Sequence, residues 1–497
     1  MSSNNPFSEI IDRYCTVFTD RDNQVWAYIP VLSGCVPLRS PQFRDYFFTT
    51  SYNEISRYPA SQQFTSILHT LAGRARSDTR SSRLPLSRRV AEHCPATYPD
   101  LIRLDLANPR DQFVTISPTG FSVSASPSVH FEASLSARSL PVPESDPDDP
   151  SAPLEILHQS LHLASRADWL RCLAWLLACF RPSVSAPLAL FQGPPSSGKS
   201  VAAHILRLFI DPSTTPFTPI PSSLRDFHTQ VRLNFVLIFD HLSALSSKIS
   251  DALCRLSSGL GISSREPGLS DPVIRLCKRP VILTTTDRFA CPDDLAEHAL
   301  AINFAPLPPE TRVPLDALQE HLQPHYPKIL GALCHALSTA LRRLPEMNMP
   351  TGRHPDILAW AMAATPALGC TEQEMRDALE YRPPDPTVEA VTHLLESEPE
   401  WTGTATDLLH LLPASPHYSQ PKGVTQHLKK LLDALAARGI TIEFRRHAGT
   451  GKRLIIIKVV QALVPAAPPL LGALGATPPD PIPCDASFTP TPQTQTQ

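Results

Sequence analysis

The sequence predicts an α/β fold in which helices cover both faces of a parallel β-sheet. Three short segments, 187–192, 235–239 and 280–284, are mainly apolar. Segments 201–210 and 326–344 carry apolar residues at helical spacing. Strands that are apolar throughout and alternate with helices are typical of parallel sheets buried on both sides.

A phosphate-binding motif follows the first apolar strand. The pattern GxxxxGK[ST] runs from Gly193 to Ser200 and leads into a helix, the setting in which backbone amides hold nucleotide phosphates. Lys199 is expected to reach the β- and γ-phosphates, and the Ser200 hydroxyl to bind Mg²⁺. The residues that we expect to contact ATP are Gly193, Pro194, Pro195, Ser196, Ser197, Gly198, Lys199, Ser200 and Val201.

An acidic residue follows the second apolar strand. Asp240 is predicted to orient the Mg²⁺ ion and so to serve in catalysis with Lys199. An aspartate that only ends the strand is the alternative interpretation. His241 comes next, where many hydrolytic ATPases have a glutamate that activates water.

Composition limits the class of protein. A chain of 497 residues is too long for one core, which predicts two to four domains. Eleven cysteines include no CxxC pair, so the sequence indicates neither a zinc site nor a disulfide framework. No secretory signal opens the chain, and the strongest apolar run, 170–180, contains Arg171 and is too short to span a bilayer. These features predict a cytoplasmic protein without a membrane partner.

The C-terminal part predicts a winged helix. Helical spacing at 401–412 and 423–439 precedes two strands, 440–444 and 453–459. Residues 401–460 contain nine Lys or Arg and three Asp or Glu, in a chain whose formal charge is −3. This basic module is predicted to bind duplex DNA, with protein contacts alone as the alternative. The predicted phosphate contacts are Lys429, Lys430, Arg445, Arg446, Lys452 and Arg453.

Proline-rich stretches and the patterns above divide the chain. Short β-like segments between 101 and 131 indicate an N-terminal α/β domain, and the last 37 residues contain no Lys or Arg. The predicted parts are an accessory α/β domain (1–139), a linker (140–153), an ATPase domain with a helical extension (154–380), a linker (381–389), a winged helix (390–460) and a disordered tail (461–497).

Several motifs in the central part resemble a known family. They read IFDHLS at 238–243, SDALCRL at 250–256, SGLGISSR at 258–265, RPVIL at 279–283, DLAEHAL at 294–300 and KILGAL at 328–333. Together they resemble the ATPases of phages and integrated elements related to superfamily 3 helicases, a group that includes primase-helicases of satellite phages and poxviruses. The resemblance spans residues 18–460 and is most specific in the ATPase core.

This resemblance implies an AAA-like core that assembles as a homo-hexameric ring. A β-hairpin between the acidic strand and the third apolar strand would then project into the pore and bind single-stranded DNA. The hairpin would lie near 265–278, where Arg265, Arg275 and Lys278 supply positive charge. A solvated surface loop is the alternative.

The sequence also departs from the family pattern. The resemblance aligns His241 with an asparagine, Thr284 with the sensor asparagine, and His298 with the arginine finger that acts on a neighbouring subunit's nucleotide. Thr284 and His298 are therefore the further catalytic candidates. Threonine can still bind a phosphate or water, whereas histidine is largely neutral at pH 7. Arg288 or Arg312 is the alternative source of a finger.

The predicted function is an ATP-dependent DNA helicase or remodelling ATPase in replication of a phage or mobile element. Its cofactors would be ATP and Mg²⁺. The alternative is a nucleotide-gated DNA-binding protein with weak or no hydrolysis. A sugar or nucleoside kinase is a third possibility, which the predicted winged helix argues against.

Overall fold

The structure, a computed structural model, describes residues 6–32, 34–77, 86–93, 100–125, 130–134, 136–146, 149, 151–185, 188–264, 273–286, 289, 291–380, 385–412, 418, 420–446 and 452–459. Two compact units make up the chain, Met1–Pro383 and Pro384–Gln497. The predicted tail 461–497, Arg265 and Arg288 lie outside the described residues.

The first unit begins with a small antiparallel sheet packed on three helices. Phe43, Phe47, Ile67 and Leu71 are among the residues of their shared core. The sheet has the order β1-β2-β3. The elements are α1 (Pro6–Tyr14), β1 (Thr16–Thr19), β2 (Val25–Ile29), β3 (Gly34–Pro37), α2 (Pro41–Ile55) and α3 (Ser61–Ser77).

A second antiparallel sheet follows, which confirms the short β-like pattern of this region. Its four strands run in the order β5-β6-β7-β8. Two short strands, β4 before them in the sequence and β9 after them, form a separate parallel pair. The elements are β4 (Leu86–Ser87), β5 (Val90–His93), β6 (Leu101–Asp105), β7 (Gln112–Ser117), β8 (Gly120–Ala125) and β9 (His130–Phe131).

The predicted linker at 140–153 does not separate two compact units. Leu140 is buried in the core that also contains the helices of the central part. The amide of Glu144 donates a hydrogen bond to the carbonyl of Pro327 at 2.9 Å. Residues 1–380 therefore belong to one unit, because this segment packs as part of its core.

The central part contains a four-stranded parallel sheet in the order β11-β14-β10-β15. The prediction of a parallel sheet is confirmed. The elements are α4 (Ala152–Gln159), α5 (Arg166–Ala178), β10 (Leu188–Gln192), α6 (Lys199–Leu208), α7 (Leu224–Leu233), β11 (Leu237–Leu242), α8 (Ser247–Ser258), β12 (Leu260–Ser264), β13 (Val273–Cys277), β14 (Val281–Thr285), α9 (Asp293–His298), β15 (Ala299–Asn303), α10 (Leu315–Leu322), α11 (Tyr326–Arg343), α12 (Pro355–Leu368) and α13 (Glu372–Glu380).

Both faces of this sheet are buried, which explains why its strands are apolar throughout. Along β10, Ala189 and Phe191 join the larger core, built with α5, α11 and α12. Leu188 and Leu190, which point to the opposite face, join a second core with α7 and α8. Because the four strands are parallel, their carboxyl ends lie at one edge of the sheet, where the loop 193–200 follows β10.

The second unit has the element order helix, strand, three helices, two strands, and its own core contains Val391, Leu408, Val424, Leu428 and Ile457. Its sheet has the order β16-β18-β17 and is antiparallel. The elements are α14 (Pro386–Ser397), β16 (Glu400–Gly403), α15 (Ala405–Leu411), α16 (Pro421–Lys430), α17 (Leu432–Ala436), β17 (Ile440–Arg446) and β18 (Arg453–Val459).

Two helices predicted in this unit differ from the structure. Trp401 lies in a strand, because it pairs with Ile457 of β18. The helix begins only at residue 405, since Thr404 and Asp407 form a capping box there. The predicted helix 423–439 is divided at Leu431, whose ψ of 5° leaves the helical range.

Candidate functional site

The loop after β10 has a backbone that requires glycine at both ends. Gly193 has a φ of 142°, and a Cβ placed on it would lie 2.6 Å from the carbonyl oxygen of Phe304. Gly198 has a φ of 88° and caps the amino end of α6. Both values lie in the region that side-chain-bearing residues rarely adopt. The spacing of the two glycines therefore follows from the shape of the loop.

The end of β15, the strand that pairs with β10, contacts the start of the loop. The amide of Phe304 donates to the carbonyl of Gln192 at 2.8 Å. The carboxylate of Asp168 accepts from the amide of Asn303 at 2.9 Å and pairs with Arg171 at 2.6 Å. This buried ion pair fixes the end of β15 beneath Gly193. In the sequence, Arg171 stands out only as a charge within an apolar run, and no motif marks its role.

Lys199 lies across the loop. Its Nζ donates to the carbonyls of Gly193 and Pro194, each at 2.7 Å, and lies 3.3 Å from the Ser197 hydroxyl. The ammonium group therefore lies within hydrogen-bonding distance of three residues of the loop. Pro194 and Pro195 lie between Gly193 and the turn, and Val201 lies in the first turn of α6, half-buried against the larger core.

The loop has the features of a phosphate cradle. Ser196 has a φ of 59°, so the backbone turns sharply in the middle of the loop. In the described part of the chain, the amides of Ser196 and Gly198 donate to no other group. Amides without partners at a helix amino end favour an anionic ligand. The residues present therefore fit the phosphates of a nucleotide.

Three hydroxyl and carboxyl side chains meet beside the loop. The Ser200 hydroxyl donates to Oδ1 of Asp240 at 2.8 Å, and the Thr284 hydroxyl donates to the same oxygen. Ser200 begins α6, Asp240 lies on β11, and Thr284 lies on β14, the strand between β10 and β11. A hydroxyl and a carboxylate at this separation are the hard oxygen ligands that Mg²⁺ prefers.

The Thr284 hydroxyl makes two hydrogen bonds. Its buried hydroxyl donates to Asp240 and accepts from the amide of His241 at 3.0 Å. Thr284 therefore positions Asp240, and this arrangement differs from the sensor role that the resemblance implies for it. The single hydroxyl proton of Thr284 is already directed to Asp240.

His241 occupies a strained position at the edge of the site. Its φ of 57° is left-handed, and the pairing of β11 with β14 shifts register between Phe239 and Leu242. Its side chain is 79% exposed, with Nε2 3.4 Å from Oδ2 of Asp240. Strain of this kind in a residue other than glycine costs about 1–3 kcal/mol and occurs most often at functional sites.

His298 lies far from the loop of its own chain. It ends α9 immediately before β15, and the first residue of β15, Ala299, pairs with Leu188 at the opposite end of β10 from Gly193. Within one chain His298 therefore does not reach the phosphate-binding loop. Arg353 lies close by, because its Nε donates to the carbonyl of Glu297 at 2.9 Å. Arg312, the other candidate finger, binds the carbonyl of Leu307.

An antiparallel hairpin lies between the acidic strand and the third apolar strand, formed by β12 and β13. Arg275 on β13 lies 3.0 Å from Asp20 and 3.5 Å from Asp22, and its guanidinium also covers the ring of Trp26. Its charge is already compensated, which argues against the predicted contact with DNA. Lys278 donates to the carbonyl of Ser183 at 2.6 Å.

The basic residues of the second unit lie mainly around its hairpin. Arg446 and Arg453 are direct cross-strand partners on β17 and β18. Arg445 pairs with Glu443 at 2.6 Å and stays exposed. The remaining predicted contacts are also exposed: Lys429, Lys430 and Lys452. The Nζ of Lys429 lies 5.4 Å from the centre of the Phe444 ring, and Lys452 directly precedes β18.

Two protein-family models match the chain. Residues 155–365 match the actinomycete integrative conjugative element replication protein, and residues 388–469 match the AICE RepA C-terminal domain. The first region contains the loop, Asp240 and Thr284, and the second contains the basic hairpin. These two matches indicate a replication protein of a mobile element. No curated protein matches the sequence of this replication protein.

Solved structures similar to the replication protein include helicases. The apo C-terminal region of NrS-1 is 8% identical with a TM-score of 0.38, covering 92% of this chain and 98% of that chain. An inhibitor-bound JCV helicase is 13% identical with a TM-score of 0.25, covering 46% of this chain and 67% of that chain. Separately, no helix in the described part of the replication protein is long and apolar enough to cross a membrane.

Proposed function

We propose that this replication protein is an Mg²⁺-dependent ATPase that unwinds or remodels DNA during replication of a mobile element. One observation carries the proposal: a glycine-bounded loop between a parallel strand and a helix holds the Lys199 ammonium, and the Ser200 hydroxyl next to it in sequence contacts the carboxylate of Asp240. This is the set of groups that phosphoryl transfer needs. The family match supplies the replication context.

Each of the residues at the site would have a separate role. The amides of the loop and the Lys199 ammonium would hold the phosphates and offset the negative charge that develops on them. Ser200 and Asp240 would hold Mg²⁺, which when bound polarises the phosphate oxygens. Thr284 keeps the Asp240 carboxylate in place through its hydrogen bond.

The second unit supports DNA as the substrate. Its order of helices and strands, with α16 before a basic hairpin, fits a winged helix whose second helix enters the major groove. Directly opposed Arg446 and Arg453 repel one another, and bound phosphate would relieve this repulsion. A homo-hexamer accords with the position of His298. This residue does not reach the loop of its own chain, so it could act only on a nucleotide that a neighbouring subunit binds.

A second candidate is a nucleotide-gated DNA-binding protein with little or no hydrolysis. The specific observation in its favour is His241, which lies beside Asp240 where many hydrolytic ATPases carry a glutamate. In this case ATP would change DNA affinity, and phosphate release would stay near background.

Phosphate release with and without single-stranded DNA separates the two candidates. Lys199→Ala is expected to abolish Mg-ATP binding, because it removes the cation at the centre of the loop. Lys248→Ala, at an exposed lysine of α8 in the same domain, is the matched control. Normal ATP affinity and turnover in Lys199→Ala would contradict the assignment of the loop.

A further inference from the structure

Three aromatic rings stack at the end of α2, in a region that precedes both matched families. The ring of Tyr58 lies 5.0 Å from that of Tyr52, with an angle of 15° between their planes. It also lies 6.0 Å from the ring of Phe48, at 29°. Phe48 and Tyr52 are one helical turn apart, so both lie on the side of α2 that Tyr58 contacts.

The local backbone fixes this stack. Ser56 has a φ of 54°, and its amide donates to the carbonyl of Tyr52 at 2.8 Å, which ends α2. The chain reverses there and folds Tyr58 back over the last turns of the helix. Pro59 disfavours a helical backbone at Tyr58. Phe64 of α3 packs edge-on against Phe48 at 5.3 Å, so two helices hold the stack.

The two tyrosines remain open to solvent in spite of these contacts. Tyr58 is 60% exposed and Tyr52 is 49% exposed. More than half of the Tyr58 side chain therefore stays accessible to a ligand although two rings contact it. Asn53 and Ser56 beside the rings are polar and exposed. The result is a small aromatic surface with polar surroundings, which we call the tyrosine platform (Tyr52 and Tyr58).

The charge around the tyrosine platform is positive. Arg57 is exposed, and in the described part of the chain no carboxylate pairs with it. The nearby acids are already paired, Glu54 with Arg13 at 3.3 Å and Asp45 with Arg44 at 3.1 Å. An aromatic face beside an unpaired guanidinium fits a ligand that is both planar and anionic.

We propose that the tyrosine platform binds single-stranded DNA, with an unpaired base stacked on Tyr58 and a backbone phosphate contacting Arg57. Single-stranded rather than duplex DNA is specified, because the base faces of a duplex are covered by stacking. The proposal rests on the proposed function only in taking DNA as the substrate. It requires neither ATP binding nor hydrolysis.

Photocrosslinking of the full chain tests the contact directly. An oligonucleotide that contains 5-iododeoxyuridine is irradiated with the protein, and the crosslinked peptide is identified by mass spectrometry. We expect crosslinks at Tyr52 or Tyr58, also in Lys199→Ala, so that failure of the ATPase assignment would not remove them. Crosslinks confined to other regions of the chain would overturn the proposal.

Binding measurements test the stacking itself. Tyr58→Leu is expected to weaken binding of an unlabelled oligo-dT roughly 5- to 150-fold, since stacking contributes ~1–3 kcal/mol per base. Tyr58→Phe keeps the ring and should bind normally, and Val31→Ala, at another exposed apolar residue, is the matched control. Duplex binding should not change in Tyr58→Leu.

Two outcomes would contradict stacking. Equal affinity for an abasic oligonucleotide of the same length would show that only phosphates are bound. A change in oligomeric state in Tyr58→Leu with unchanged oligo-dT affinity would show that the platform contacts a second copy of this chain. Thermal melting of each variant confirms that the fold is retained.

Discussion

The Thr284 hydroxyl donates a hydrogen bond to the same Asp240 oxygen that accepts from Ser200. The two donors come from different elements, β14 and the start of α6. Asp240 is therefore held from both sides before any ligand binds. The order of the sheet makes this possible, because β14 lies between β10 and β11.

Removal of the Thr284 hydroxyl should impair catalysis more than stability. Thr284→Val is expected to lower turnover or apparent Mg²⁺ affinity about 10- to 100-fold, the usual effect of losing a residue that orients a ligand. Thr284→Ser keeps the hydroxyl and should retain most activity. Thr286→Ala, which loses a hydroxyl that binds the Leu242 carbonyl, is the control. Phosphate release measured across a Mg²⁺ titration gives both quantities, and a normal Thr284→Val profile would contradict the positioning role.

His298→Arg should raise turnover only when subunits assemble. His298 lies at the opposite end of β10 from the loop, so a guanidinium there acts only on a neighbour's nucleotide. We expect a gain of about tenfold or more, since arginine fingers contribute ~10³–10⁵ in other NTPases. Turnover is measured above and below the concentration of assembly. If Arg353 supplies the charge instead, Arg353→Ala abolishes turnover and His298→Arg has no effect.

The opposed arginines of the second unit should favour DNA binding at a cost in stability. Arg446→Gln with Arg453→Gln is expected to reduce the salt slope of duplex affinity by about 2, one counterion per lost phosphate contact. The same change should raise the free energy of unfolding by ~0.2–1 kcal/mol, because like charges no longer face each other. Lys458→Gln, whose lysine pairs with Glu400, is the control. Salt-dependent binding and urea unfolding measure the two effects, and an unchanged salt slope would remove this pair from the DNA interface.

The stability of the second unit should fall in acid. Burial raises the pKa of the Asp385 carboxyl, but hydrogen bonds from His427 and from the Thr387 hydroxyl and amide outweigh it and hold that pKa at about 2. Since the folded pKa is below the unfolded value of about 3.9, the stabilisation is complete above that value and is lost as pH falls toward 2. It amounts to roughly 2 kcal/mol.

Urea unfolding of residues 384–497 between pH 2 and 5 checks this expectation. Asp385→Asn should flatten the pH dependence in that window. Asp433→Asn, at an exposed aspartate of the same unit, should preserve it. A pH dependence that survives in Asp385→Asn would assign the acid sensitivity to another group.

Local patterns were sufficient for the elements around the loop. The spacing of Gly193 and Gly198, the apolar strands and the helical periodicity all act within a few residues, so they can be recognised in the sequence alone. They predicted the parallel sheet, the strand–loop–helix setting of Lys199, and the acidic residue at the end of the second apolar segment. The boundary between the two units falls within the predicted linker 381–389. Prolines cluster there, and a cluster of prolines is also a local pattern.

Contacts between distant parts of the chain decided the rest. Trp401 became part of a strand because β18, more than fifty residues later, offers a pairing edge. Arg275 forms an ion pair with Asp20, 255 residues earlier, which no local pattern indicates. Thr284 holds Asp240 only because the chain inserts β14 beside β11. A local pattern determines which element a segment forms, whereas the order of strands and the packing between domains determine which side chains meet.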